Sequence, residues 1–198
     1  EGLSNITSVG TSLSIKDNEA LTSVEGLENL TKVGNSLYIT NNIALTSLKA
    51  LSNITRLGAN LYIRENEALT SLEGLEKLTD LGGTLIIDRN NSLASLKGLN
   101  SIKKVEGMLY IADNYSLISL EGLKAIDSVG ENITIINNDA LTSLKGLNSI
   151  KKVKGSLHIN DNSNLTRLEG LNNITSVDGT LSFYNNEALT SIEELNNI

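Results

Sequence analysis

Apolar residues recur at fixed positions of a 24-residue unit, which is written eight times and followed by a six-residue partial repeat. In the second unit, the step Leu37-Tyr38-Ile39 alternates between inward and outward residues, as expected for a half-buried β-strand. From Leu45 to Leu57 the apolar residues recur at every third position. This spacing is typical of short extended or 3₁₀-like sides, since an α-helix mixes spacings of three and four.

An unbroken period without insertions predicts identical turns stacked along one axis. We therefore predict a mainly β fold, a parallel β-solenoid of eight stacked 24-residue turns, with residues 1–198 forming a single repeat domain. Because one turn cannot bury its apolar side alone, its stability must come from its neighbours. The chain opens in mid-repeat at Glu1, so we expect it to be part of a longer protein.

One asparagine occupies the same slot of every turn. It lies three residues after an inward isoleucine or phenylalanine and three before an inward leucine, so we expect it to point inward. Buried amides must form hydrogen bonds, and this spacing predicts a ladder between turns. The predicted asparagine ladder comprises Asn18, Asn42, Asn66, Asn90, Asn114, Asn138, Asn162 and Asn186.

A second column alternates in charge, with glutamate at position 25, lysine at 49 and glutamate again at 73. Stacked like charges repel, whereas alternating charges form weak pairs worth about 0.2–1 kcal/mol each. We interpret this column as a device for register and solubility.

The strand core and its flanks resemble a known family. The segment from Leu27 to Ile39, followed by Asn42, Ala44 and Leu45, is similar to leucine-rich repeats of the receptor L-domain type. That family includes the ligand-binding lobes of insulin-type and epidermal-growth-factor-type receptors and many microbial cell-surface repeat proteins. The resemblance covers all eight repeats and implies a right-handed, leucine-rich-repeat-like solenoid with a parallel sheet on one face. The uniform repeats and missing cysteines are closer to a microbial surface protein than to an animal receptor lobe.

The outward position of the predicted strands carries a candidate ligand-binding stripe. Tyrosine supplies rigid amphipathic contact area at recognition surfaces, and sugars stack on the same rings. The alternative is that tyrosine simply favours strands and packs on its neighbours across the sheet. The predicted stripe comprises Tyr38, Tyr62, Ile86, Tyr110 and His158.

Composition excludes several classes of function. A net charge of −7 disfavours nucleic acid and anionic membranes as partners. The chain has no cysteine, and its longest apolar runs fall far short of the ~18 residues of a membrane span. His158 is the single histidine, and the acidic residues follow repeat slots without converging on a catalytic pair. We therefore predict a protein that is not an enzyme and uses no cofactor or metal.

Two further sets of surface residues have functional and structural interpretations. A lysine cluster is either solvated surface or a contact for a polyanionic glycan or a complementary subunit. A threonine column invites comparison with ice-binding solenoids, but Ala94 and Ile118 interrupt it. The lysine cluster comprises Lys103, Lys104, Lys151, Lys152 and Lys154, and the threonine column comprises Thr22, Thr46, Thr70, Thr142, Thr166 and Thr190.

Eight Asn-x-Ser/Thr sequences are possible glycosylation sites, although such sequences arise by chance in repeats rich in asparagine and threonine. Asn90 and Asn114 belong to the predicted ladder and are expected to be poor acceptors. We expect an accessible outward corner for four sites: Asn5, Asn29, Asn53 and Asn173.

Two functions remain open from the sequence. The first is a secreted or cell-surface scaffold that binds a protein or glycan through its strand face. The second is a structural subunit of an extracellular fibre, sheath or surface layer, whose copies associate end to end because neither end of the chain has the polar cap that solenoids normally need.

Overall fold

The computed structural model describes residues 3–198 and shows a parallel β-solenoid, which confirms the predicted fold class. Each turn contributes one two-residue strand and one four-residue strand. The strands stack into two eight-stranded sheets, and every neighbouring pair is parallel. None of the helices among the described residues is long and apolar enough to cross a membrane.

The two-residue strands form what we call the short-strand sheet. They are β1 Ser8–Val9, β3 Lys32–Val33, β5 Arg56–Leu57, β7 Asp80–Leu81, β9 Lys104–Val105, β11 Ser128–Val129, β13 Lys152–Val153 and β15 Ser176–Val177. The four-residue strands form the long-strand sheet. They are β2 Leu13–Lys16, β4 Leu37–Thr40, β6 Leu61–Arg64, β8 Leu85–Asp88, β10 Leu109–Ala112, β12 Ile133–Ile136, β14 Leu157–Asn160 and β16 Leu181–Tyr184.

The register is constant, because each strand residue pairs with the residue 24 positions away in the next turn. Tyr38 pairs with Tyr62, and Tyr62 with Ile86. Each sequence column is therefore a physical row along the solenoid axis, with turns about 4.8 Å apart.

The corner that directly follows Leu48, and the equivalent residue of every other turn, takes two forms. In most turns this corner contains a glycine with a positive φ, such as Gly98 at 110°. Residues other than glycine rarely adopt this backbone conformation. In three turns the corner is instead a 3₁₀ helix, at Lys49–Leu51, Glu121–Leu123 and Glu193–Leu195. The 3₁₀ form accommodates Ala50 and Glu194 in the glycine slot, and it also occurs at Gly122.

The core is a single apolar column along the axis. All seven recurring apolar positions of the second turn are fully buried: Val33, Leu37, Ile39, Leu45, Leu48, Leu51 and Ile54. The same slots are partly exposed in the outermost turns, as at Leu181, which is 39% exposed. Burial therefore comes from stacking between turns.

Candidate functional site

The outer face of the long-strand sheet presents two rows of side chains, which we call the strand face. The second position of each strand forms the inner row: Ser14, Tyr38, Tyr62, Ile86, Tyr110, Thr134, His158 and Ser182. The fourth position forms the outer row: Lys16, Thr40, Arg64, Asp88, Ala112, Ile136, Asn160 and Tyr184. The predicted stripe therefore lies in one continuous row, with His158 separated from Tyr110 by Thr134.

The tyrosines stack on one another along the axis. The Tyr38 and Tyr62 rings are nearly parallel, with an interplanar angle of 4° and centroids 4.8 Å apart. The Lys16 ammonium lies over the Tyr38 ring, 4.4 Å from its centroid. Both faces of Tyr38 and one face of Tyr62 are thus covered, so the rings present their edges and hydroxyls outward. This arrangement opposes the expectation that sugars stack on these rings.

A charged pair lies beside the tyrosines on the same face. The Nε and Nη2 atoms of Arg64 donate to Asp88 Oδ2 at 2.9 and 2.8 Å. The Asp88 side chain is only 3% exposed and that of Arg64 is 38% exposed. Burial raises the pKa of the Asp88 carboxyl above its ordinary value, and the Arg64 guanidinium partly offsets this increase.

The pKa values of the Tyr62 and Tyr110 hydroxyls are raised above their ordinary value. Burial is the main factor that raises the pKa of Tyr62, and the neighbouring Tyr38 adds to it. Burial likewise raises the pKa of Tyr110, helped by the carboxylates of Asp88 and Asp113. Tyr62 and Tyr110 therefore offer hydroxyl donors at neutral pH.

The residue after each long strand adopts a left-handed conformation. Eight such residues, from Asp17 to Asn185, have φ between 52° and 57°. Six are Asp or Asn, the residue types that tolerate this region best, whereas Glu65 and Arg89 are more strained. No role was predicted for this column, although its Asp and Asn content is a signal in the sequence that could have identified it.

Hydrogen bonds in this column join an acceptor in one turn to a donor in the next. Asn41 donates to Asp17 at 2.8 Å, and Asn185 donates to Asp161 at 2.9 Å. Arg89 donates to Glu65 at 2.8 Å. These pairs connect the edge of the strand face from turn to turn.

The middle of this edge contains a shallow groove of about 320 Å³. It is lined by Glu65, Glu67, Arg89, Asn91, Asp113 and Tyr115. The Asn91 Oδ1 atom is buried there and accepts no hydrogen bond among the described residues. The groove thus combines the carboxylates of Glu65, Glu67 and Asp113 with the guanidinium of Arg89.

The asparagine ladder runs inside the turns, and its geometry is regular. Asn90 Nδ2 donates to the Ile63 carbonyl at 2.9 Å, to the Asp88 carbonyl at 3.1 Å and to Asn114 Oδ1 at 3.3 Å. Six of the eight amides, from Asn42 to Asn162, are fully buried. Asn18 is exposed and Asn186 is partly exposed, contrary to the expectation that every member is buried, because a neighbouring turn covers each of them on one side only.

The other predicted surface residues lie away from the strand face. In the lysine cluster, Lys104 forms an ion pair with Glu106 at 2.8 Å and Lys152 with Asp178 at 3.1 Å, which lowers its net positive charge. In the alternating charge column, Lys49 pairs with Glu73 at 3.4 Å and Lys145 with Glu169 at 3.1 Å.

The possible glycosylation sites also have hydrogen-bonded neighbours. Asn29 Nδ2 donates to the Ser4 carbonyl, Asn53 Nδ2 to the Glu28 carbonyl and Asn173 Nδ2 to the Asn148 carbonyl, each at 2.7 Å. Asn5, Asn29 and Asn173 are exposed, whereas Asn53 is half-buried. The atom that would carry a glycan is therefore engaged with the preceding turn at three of these sites.

Within residues 3–198, no cluster of three or more histidine, aspartate or glutamate side chains is arranged to hold a metal ion. Comparisons with protein families, curated proteins and solved structures find no match.

Proposed function

We propose that this protein is a non-catalytic repeat scaffold, secreted or displayed on a cell surface, that recognises a protein or glycan through the strand face. The observation that carries the proposal is the combination of half-buried tyrosines with the ion pair between the partly exposed Arg64 and the buried Asp88 on an open sheet. Tyrosine and arginine are enriched at the centres of recognition surfaces. The receptor L-domain resemblance belongs to the same proposal and supports a binding role.

The Arg64–Asp88 pair supports recognition over a purely structural role. A carboxylate that is 3% exposed loses most of its hydration, and a buried ion pair is weak evidence for stability. A rigid, prearranged polar pair beside rigid aromatic side chains lowers the entropy lost on binding.

The proposal is tested with a triple variant, Tyr38→Ser, Tyr62→Ser and Tyr110→Ser. Wild-type protein is screened against a peptide display library and a glycan array, and the selected probes are titrated against the variant. We expect the variant to lose at least tenfold in affinity while its circular dichroism spectrum is unchanged.

Ile118→Ser is the matched control, because it removes a side chain that is 58% exposed on a different side of the solenoid. It is expected to bind as wild type does. Equal affinity of wild type and triple variant for every selected probe would contradict recognition through the strand face.

The second proposal is end-to-end association of the 198-residue chain into a fibre, sheath or surface layer. Among the described residues, β2 and β16 are the edge strands of the long-strand sheet. On β16, Leu181 is 39% and Tyr184 is 52% exposed, whereas Leu157 in the preceding turn is fully buried. Electron microscopy of the purified protein tests end-to-end association, for which unbranched filaments are expected. Separate rods about 40 Å long, the length of eight turns at ~4.8 Å each, would contradict this proposal.

A further inference from the structure

The corner that follows each long strand carries the entire net negative charge of the chain. We call the first and third residues after each long strand the acidic corner. Its charged members are Asp17, Glu19, Glu65, Glu67, Arg89, Asp113, Asp139, Asp161 and Glu187. The chain has 23 acidic and 16 basic residues, and this corner holds eight of the acidic ones and one basic one. Fifteen of each sign remain elsewhere, so the rest of the molecule has no net charge.

Little of this charge is neutralised locally. Arg89 contacts Glu65 at 2.8 Å and Asp113 at 3.9 Å and is the only base in the corner. Glu19, Glu67 and Glu187 are exposed and form no ion pair within residues 3–198. Exposed carboxylates of one sign along a straight edge create a field that extends about one Debye length, roughly 8–10 Å, into solvent.

The acidic corner and the tyrosine stripe form one surface. Each corner begins at the residue directly after the strand, and the carboxylate of Asp113 is close enough to contribute to the raised pKa of Tyr110. The tyrosines lie on one side of this boundary and the carboxylates on the other, with the outer row of the strand face between them. An extended segment lying along the boundary places alternate side chains on its two sides.

Ring geometry and charge together select the kind of partner. Both faces of Tyr38 and one face of Tyr62 are covered, which disfavours a flat sugar ring, since such a ring needs a free aromatic face. The acidic corner repels polyanions and attracts lysine and arginine. The groove in the middle of the corner is lined by Glu65, Glu67 and Asp113, whose carboxylates would accept hydrogen bonds from a cationic donor.

We propose that the boundary between strand face and acidic corner binds an extended, basic protein segment, with apolar side chains on the tyrosines and cationic side chains on the corner. This inference rests on the proposed function and narrows its ligand class. From Asp17 to Glu187 the corner spans about seven turns, roughly 34 Å, which equals about ten extended residues at ~3.4 Å each.

The experiment measures binding of a fluorescently labelled decapeptide of alternating lysine and leucine by fluorescence anisotropy. A glutamate–leucine decapeptide and a β-1,4-linked glucose hexasaccharide are measured as alternative probes. We expect wild-type protein to bind the lysine peptide most tightly, with an affinity that falls at least tenfold as salt rises from 50 to 300 mM, because exposed charges are screened.

The corner variant combines Glu19→Gln, Glu67→Gln and Glu187→Gln, which remove three charges and preserve side-chain size. We expect it to bind the lysine peptide at least tenfold more weakly at 50 mM salt. The face variant, Tyr62→Ser with Tyr110→Ser, is expected to weaken the same peptide to a similar extent.

The matched control combines Glu25→Gln, Glu121→Gln and Glu131→Gln, which remove three exposed charges outside the corner. It has the same net charge as the corner variant, and we expect less than a twofold change in affinity. Thermal unfolding of all three variants verifies that each is folded.

The outcomes separate this inference from the proposed function. Equal weakening by the corner and control variants would show attraction to net charge alone and would overturn the inference. Tighter binding of the hexasaccharide that is lost in the face variant would overturn it while retaining strand-face recognition. Unchanged peptide binding by the face variant would contradict strand-face recognition itself.

Discussion

Asn90 illustrates how one residue type holds a repeat together. Its Oδ1 atom accepts a hydrogen bond from the backbone N–H of Asn66 at 3.2 Å. Its Nδ2 atom donates to two backbone carbonyls and to Asn114 Oδ1. An apolar side chain of similar size would leave these buried backbone groups without partners, and each such group costs about 1–3 kcal/mol. The ladder therefore stabilises the corner that follows each long strand.

Replacing Asn90 with leucine is expected to lower the free energy of unfolding by about 3 kcal/mol, since several buried polar groups lose a partner at once. Urea denaturation followed by circular dichroism measures the change. Asn100→Leu is the matched control, because Asn100 is only half-buried and its side chain forms no hydrogen bond among the described residues. Equal stability of Asn90→Leu and wild type would refute the structural role of the ladder.

At the scale of one element, the corner between the two sheets occurs in two arrangements. Gly58-Ala59 places its glycine first, against the carbonyl of Gly34 in the preceding turn. Lys154-Gly155 places its glycine second, against Asn132. A Cβ on either glycine would overlap its neighbour, so each corner needs one glycine at whichever position approaches the preceding turn most closely.

Gly58→Ala is expected to cost about 2 kcal/mol, because its Cβ overlaps backbone in a packed stack. Adding Ala59→Gly should restore at least half of that loss by converting the corner to the glycine-second arrangement. Thermal and urea unfolding of the single and double variants measure both effects. Gly10→Ala is the control, since no atom lies within 4 Å of the added Cβ. If the double variant is less stable than Gly58→Ala, the glycine-first and glycine-second arrangements cannot replace each other at this corner.

At the scale of the whole molecule, stacking decides how much each leucine contributes. Leu109 and Leu181 occupy the same position of the repeat, yet Leu109 is fully buried and Leu181 is 39% exposed. In a solenoid the stability is approximately a sum of repeat terms and nearest-neighbour interfaces. A central turn contributes two interfaces and an outermost turn contributes one.

Leu109→Ala is therefore expected to lower the free energy of unfolding by about 3 kcal/mol, and Leu181→Ala by about 1 kcal/mol or less. Urea denaturation of the two variants, which differ only in the turn they affect, tests this gradient. Equal losses would show that the molecule unfolds as one unit in which the position of a turn has no effect.

The period of 24 residues determined the fold class, the inward positions and the inter-turn register of this protein. These properties follow from local alternation and exact repetition, so Leu37, Ile39 and Leu45 were identified as core without coordinates. The two-residue strands, such as Lys32–Val33, were not assigned, because two residues are too few to show an alternation.

The candidate site depended on tertiary structure. The sequence placed Tyr38 and Tyr62 in one row, but only the stacked turns show that their faces cover each other. Asp88 and Arg64 are 24 residues apart, and their pairing and burial arise because consecutive turns lie side by side. Repetition determines which residues become neighbours along the axis, whereas side-chain packing between turns decides which surfaces remain open to a partner.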